Sequence, residues 1–326
     1  MRIVVLSIAL IILALMVARV LERPEAQTAV AAAPPPASNA TELPIAALIP
    51  QMQAIVDAAV AEIGQRGPLA APEPTAYTTY LTLEGDTLAQ IAERAGSDPY
   101  AIAAYNFLNP QTPLRVGRPL VLPIYTPRDG LPTAPIINRG NPAEPLLAMT
   151  FDIELDAASL YDILTILRGR SIKATFFVTG SWVNNFPDAA RAIVDEGHEI
   201  ANHSLTHPAF TTIGLDGIAN ELDETERIIR EATGVSSRPY FRFPYGESNE
   251  ATIQAVAQRG YVAYHWSTDD NGMPFWLDAA NADPGALYGG IVLLHGRATT
   301  VEALPGYLDR LEALGITPTT LGTILQ

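Results

Sequence analysis

The stretch Met149 to Asp156, MTFDIELD, follows the apolar run Leu146-Leu147-Ala148 and sets three acids, Asp152, Glu154 and Asp156, within five positions. If the run is a strand, successive side chains alternate between faces, so all three carboxylates point the same way. A strand leaving the core for a solvated loop would account for one such fragment on its own. The reading therefore turns on whether partners for these carboxylates stand at comparable places elsewhere in the chain.

From residue 146 onward, strand-like apolar runs at 146–152, 172–178, 198–203, 240–244, 261–267, 290–295 and 316–321 alternate with helical periodicity at 157–168, 186–196, 213–233, 249–259 and 299–314. Repeated β-then-α units argue for a parallel sheet covered by helices. The fold class is α/β, and seven such strands suit a distorted, incomplete (β/α)7-type barrel. The unusual polar residues fall at or just past the C-terminal ends of the runs: Asp152, His203, Arg242, Asp269 and His295. Functional side chains of parallel barrels gather at that rim. In NHSLTHP, His203 and His207 stand four apart, a spacing that on a helical turn sets both imidazoles on one face as ligands for a divalent cation. Two imidazoles and one carboxylate leave positions open on the ion, which marks a catalytic site. The chain has no Cys, so any metal must sit on His, Asp or Glu.

These residues resemble the polysaccharide deacetylase family with the NodB homology domain, carbohydrate esterase family 4, over nearly all of 146–326. TFDIE stands where the family usually has TFDDG. ATFFVTG at 174–180 matches a family core strand, GHEIANHSLTHP the H-S/T-x-x-H metal motif, RFPYG the R-x-P-Y motif, and IVLLHG the L-x-H stretch. The resemblance implies that Asp152 is the general base on the attacking water and that His203 and His207 hold the metal. It implies that Arg242 keeps Asp152 ionised, that the backbone N–H of Tyr245 meets the oxyanion, and that His295 protonates the departing amine. Two departures stand out. Ile153 occupies the position of the family's second, metal-binding Asp, and Glu154, on the same strand face as Asp152, is expected to supply the missing carboxylate. In WSTDDNGM, Gly272 and Met273 replace the Asp and Trp of the family's W-S-x-D-x-x-D-W, whose second Asp supports the acid histidine. Asp269 or Asp270 stands in for it, and Asp269 is carried in the expected site. Trp182, Trp266 and Arg297 could line a groove but read mostly as packing, and His198 and His265 as structural.

Ahead of the barrel, residues 77–124 form a compact segment with a strand at Thr79 to Leu83, a helix to about Ala95 capped by Asp86, a helix from Pro99 to Asn106 starting at Asp98, and a closing strand at Leu120 to Leu122. With GDTLAQIA, YNFLNP and VGRPLVLP in place, this βααβ segment resembles the LysM module, which implies binding to N-acetylglucosamine-containing glycan such as peptidoglycan or chitin. Pro-rich residues 125–145 read as a linker to the domain at 146–326. Residues 23–76 read as a Pro/Ala-rich linker with one amphipathic helix at 44–63. Residues 1–22, with Arg2 ahead of sixteen uncharged, mostly apolar positions, read as a signal peptide or membrane anchor.

The balance of 20 Lys+Arg against 35 Asp+Glu, net −15, argues against a nucleic-acid partner. The expectation is an exported protein of the cell envelope, membrane-anchored or secreted, touching the membrane only through its first segment. It would hydrolyse N-acetyl groups on N-acetylated polysaccharide with a divalent metal, zinc before cobalt, manganese or nickel. The competing readings are a catalytically inactive glycan-binding protein and an amide or ester hydrolase for another acetylated substrate.

Overall fold

The computed structural model describes residues 73–326, apart from 112, 127, 129 and 130. The expected export segment at 1–22 and the helix at 44–63 lie outside these residues. Among the described residues no helix is long and apolar enough to cross a membrane.

The front module is βααβ, as expected: β1 Ala76–Leu81, α1 Leu88–Ala95, α2 Pro99–Tyr105 and β2 Pro119–Ile124, with β1 and β2 antiparallel. Helix α1 is capped by Thr87, whose side chain and Gln90 form a capping box. The expectation that Asp86 caps it is corrected: the Asp86 carboxylate accepts from Tyr80 Oη at 2.8 Å and Leu83 N at 2.7 Å, and pairs with Arg94 at 3.0 Å. Asp98 caps α2 as expected, accepting from Ala101 N at 2.9 Å. Asn106 then ties the helices to β2, its side chain exchanging 2.7 Å hydrogen bonds with both the N–H and the carbonyl of Val121.

The larger part runs β3 Leu146–Ile153, α3 Ala158–Gly169, β4 Thr175–Val178, α4 Gly180–Asn185, α5 Pro187–Asp195, β5 Glu199–Asn202, α6 Leu215–Thr233, β6 Tyr240–Phe241, α7 Glu250–Gln258, β7 Val262–Ala263, β8 Thr268–Asp269, α8 Met273–Ala280, β9 Ile291–His295, α9 Ala298–Ala313, β10 Thr317–Thr319 and α10 Leu321–Ile324. The strands are parallel, in the order β7-β6-β5-β4-β3-β9-β8 with β10 also on β3, a curled sheet that does not close. Elements α4, α8, β8 and α10 were not expected from the sequence. The run at 240–244 yields only a two-residue strand, and the chain then turns at Pro244–Gly246, where Tyr245 takes a left-handed φ of 60°.

Strand β3 fixes the two sides of the sheet. Leu147, Met149, Phe151 and Ile153 join the cluster under the outer helices, while Ala148 joins a second cluster inside the barrel. Thr150 and Asp152 share that inner side, and Arg242 reaches both. Residues 137–139 lie along the barrel: Ile137 bridges Tyr264, Arg139 bridges Gly290, and Ser267 Oγ donates to the Asn138 carbonyl at 2.7 Å.

Candidate active site

Asp152 reaches the rim at the end of β3, and β3–β9 register sets it directly beside His295. Arg242 follows β6 and is wholly buried. Its guanidinium donates to Asp152 Oδ1 at 2.7 Å, to Thr150 Oγ1 at 2.9 Å and to the Tyr264 carbonyl at 3.3 Å, and lies 4.1 Å over the Phe177 ring. A guanidinium that deep persists only with its charge matched. Burial pulls the Arg242 pKa down and the Asp152 charge offsets part of that. The pair leaves Asp152 Oδ2 facing the site, 3.4 Å from His203 Nε2.

His203 follows β5. Its Nδ1 lies 2.9 Å from the Arg242 carbonyl, and since a carbonyl only accepts, Nδ1 carries the proton and Nε2 of the neutral ring is free to ligate. Glu154 Oε1 stands 3.5 Å from His203 Nε2 and 3.3 Å from His207 Nε2. Burial would raise the Glu154 pKa, but the two histidines beside it outweigh burial and hold the carboxyl well below its usual range. Ile153 is fully buried on the opposite face, so it contributes no ligand. The ligand atoms of Glu154, His203 and His207 all lie within 4.8 Å of one another, as do those of Asp152, Glu154 and His295. Two imidazole nitrogens and a carboxylate at this spacing fit a divalent ion with open positions.

The expected helical turn at 203–207 is corrected. The segment is a loop in which Ser204 (φ 71°) and His207 (φ 61°) adopt left-handed backbone. Asn202 Oδ1 accepts from Ser204 N at 2.8 Å, and Ser204 Oγ from His207 N at 3.0 Å. Buried Glu221 of α6 accepts from Leu205 N at 2.7 Å, Thr206 N at 2.8 Å and Thr206 Oγ1 at 2.8 Å. The sequence reading missed Glu221. Its signal was an acid on the apolar stripe of α6, between Ile218 and Leu222.

Asp270 is the acid that meets His295, Oδ2 to Nδ1 at 2.5 Å. Asp269, carried in the expected site, is thereby corrected: its Oδ1 accepts from Asn271 N at 3.0 Å and Gly272 N at 2.9 Å, shaping the turn instead. Arg297, read as packing or groove, pairs with Asp270, which also accepts from Thr300 Oγ1 at 3.3 Å. The Asp270 hydrogen bond raises the His295 pKa, against burial. Burial pushes Asp270 up, but His295 and Arg297 hold it below its usual value.

Tyr245 sits at φ 60°, exposed, with its ring 4.6 Å from that of His207. Trp266 lies against Gly246, where a side chain's Cβ would stand 2.9 Å from the indole. Trp182 is buried packing with Nε1 3.3 Å from the Asp156 carbonyl. His198 is structural: its Nδ1 accepts from Ala174 N at 3.1 Å, and burial lowers its pKa to about 4.

A polysaccharide deacetylase family model matches residues 139–264 and a LysM domain model residues 82–123. A chitooligosaccharide deacetylase of Sinorhizobium fredii is 33% identical over 174 residues, 51% of this chain and 78% of that protein. A peptidoglycan-N-acetylmuramic acid deacetylase of Bacillus subtilis is 32% identical over 189 residues, 55% and 70% of the respective chains. The crystal structure of a carbohydrate esterase family 4 pseudoenzyme from Bacillus anthracis superposes with a TM-score of 0.54 at 28% identity, over 59% of this chain and 69% of that one. The chain spans 59% of the length of a Bacillus subtilis relative at 29% identity and 48% of a Geobacillus stearothermophilus relative at 37%. Motifs, curled parallel sheet and relatives agree, and the chain belongs to the polysaccharide deacetylase family, with a LysM module ahead of its barrel.

Proposed function

We propose that the protein hydrolyses N-acetyl groups on an N-acetylglucosamine-containing glycan of the cell envelope, with the LysM module binding the polymer. The observation that carries this reading is the pairing across adjacent strands of a carboxyl group, Asp152 clamped by buried Arg242, with an imidazole, His295, clamped by Asp270. A base and an acid held side by side suit addition of water to an amide and departure of an amine.

Glu154, His203 and His207 would hold a divalent cation, which when bound supplies a Lewis acid for the amide carbonyl. Zinc suits these donors first, with cobalt, manganese and nickel compatible. Asp152 takes a proton from the attacking water as the new C–O bond forms. The Tyr245 backbone N–H donates to the developing oxyanion. His295, kept protonated by Asp270, gives its proton to the nitrogen as the C–N bond breaks, leaving acetate and a free amine. The names of the relatives, a chitooligosaccharide deacetylase and a peptidoglycan deacetylase, support a glycan as the substrate and an exported, cell-envelope setting.

A second reading, a glycan-binding protein without activity, is favoured by the pseudoenzyme among the structural neighbours. The complete set of base, acid and three metal-donor residues favours the enzyme. Acetate release from N-acetylglucosamine oligomers and from peptidoglycan, with added Zn²⁺ and with chelator, decides between them. Active protein loses roughly 10²- to 10⁴-fold in rate in Asp152→Asn. Metal-loaded protein that pellets with insoluble glycan but releases no acetate would establish the binding reading.

A further inference from the structure

We infer that the LysM module is a fixed end-plate on the foot of the barrel, so that the glycan strand it holds is not the strand deacetylated at the rim. This rests on the proposed deacetylase reading.

The two-stranded sheet of the module is covered on both sides. Tyr80, Leu120 and Leu122 pack on the module's own helices at Ile91 and Ile102. Tyr77, Leu81 and Val121 point the other way and join the cluster inside the barrel, with Ala148, Tyr240 and Ile291. Every residue of β2, PLVLPI, is buried. A module on a free tether would leave alternate positions of that strand in water, because a half-covered strand needs polar residues on its outer face. Polar contacts fasten the seam as well. Arg238 stacks between Tyr77 and Tyr261, at 5.5 and 5.3 Å from their centroids, and Arg115 Nη2 donates to the Leu325 carbonyl at 3.5 Å.

The place of this seam sets the geometry. Tyr240 and Ile291 are the first residues of β6 and β9, and Ala148 is the third of β3. The module therefore sits where the parallel strands start, and Asp152 and His295 stand where β3 and β9 end. From Ala148 at the seam to Asp152 at the rim, β3 rises roughly 13 Å. A strand serving both places would have to pass around the barrel wall. A flexible tether raises the effective concentration of its own ligand only when it can span the two sites. Here the module presents a different strand from the one at the rim, an arrangement suited to a glycan meshwork in which a second strand lies across from the held one.

The chain has no Cys, so two nitroxide labels can be placed cleanly. In full-length Phe107→Cys/Leu215→Cys protein, which labels exposed positions on the module and the barrel, dipolar spectroscopy is expected to give one narrow distance distribution, unchanged by adding an N-acetylglucosamine hexamer. A broad distribution overturns the fixed docking. In the second arm, full-length enzyme pre-bound to N-acetylglucosamine oligomers grafted on beads too sparsely for a second strand to reach the rim turns over soluble hexamer with kcat/KM within about twofold of the free enzyme. A loss of roughly tenfold or more, relieved by excess hexamer, means that the held strand occupies the rim and overturns the inference. If free enzyme releases no acetate from hexamer or peptidoglycan, the deacetylase reading fails instead, and the label distances alone decide the docking.

Discussion

Glu154 is the residue on which the proposed metal site depends. It stands between two imidazoles with no second carboxylate from Ile153, whose side chain faces the helices. Glu154→Ala is expected to cost at least tenfold in metal affinity, since even a ligand's supporting partner is worth 10–100-fold. Adding Ile153→Asp should not restore that affinity, because the new carboxyl enters the apolar layer; titration with a competing chelator reads both. Full recovery in the double variant would show that position 153 turns into the site. Asp270 carries a different consequence. It raises the His295 pKa, so the protonated acid persists above the ordinary pH of about 6.5. Asp270→Asn should move the alkaline limb of the kcat/KM profile to lower pH, whereas Asp269→Asn should leave the limb in place. An unshifted limb in Asp270→Asn would remove His295 as the acid. The Asp152-x-Glu154 pair was legible because strand alternation fixes which residues share a face. The choice between Asp269 and Asp270 was not, since they are adjacent at the end of a two-residue strand, where the following turn decides which side chain points inward.

At the scale of elements, the parallel strands were legible as apolar runs because helices and barrel interior cover both their faces. Helix α8 was missed because Met273 replaces a family motif residue and its eight residues are too few to establish a period. The loop 203–207 was misread as a helical turn, since left-handed backbone at Ser204 and His207 depends on Glu221, sixteen residues beyond Leu205, and no local signal reports it. That dependence is testable. Glu221→Met keeps the volume but removes the carboxylate oxygen that accepts from both the Leu205 and Thr206 N–H groups. Leaving such groups unpaired costs about 1–3 kcal/mol. Metal affinity should fall while the far-UV circular dichroism spectrum is unchanged, and Glu221→Asp should recover only part of it. Unaltered affinity in Glu221→Met would mean that the loop holds its shape without α6.

For the whole molecule, the continuous interior matters most. The inner cluster runs from Val121 of the module through Ala148 and Ile291 at the foot to Phe177, which lies beneath Arg242. The two parts share a core, so they should unfold together despite matching separate family models. Residues 125–145 read as a linker from their prolines, yet they bridge to the barrel at Ile137 and Arg139, a contact that composition does not encode. Val121→Ala removes two methyl groups from the seam, worth about 2 kcal/mol with the cavity it leaves. For a unit of this size that shifts Tm by about 4–8 °C. Calorimetry of the variant should show one transition moved down as a whole, with module and barrel signals coincident. Two separated transitions, with only the module's lowered, would mean that the barrel's interior closes without the module.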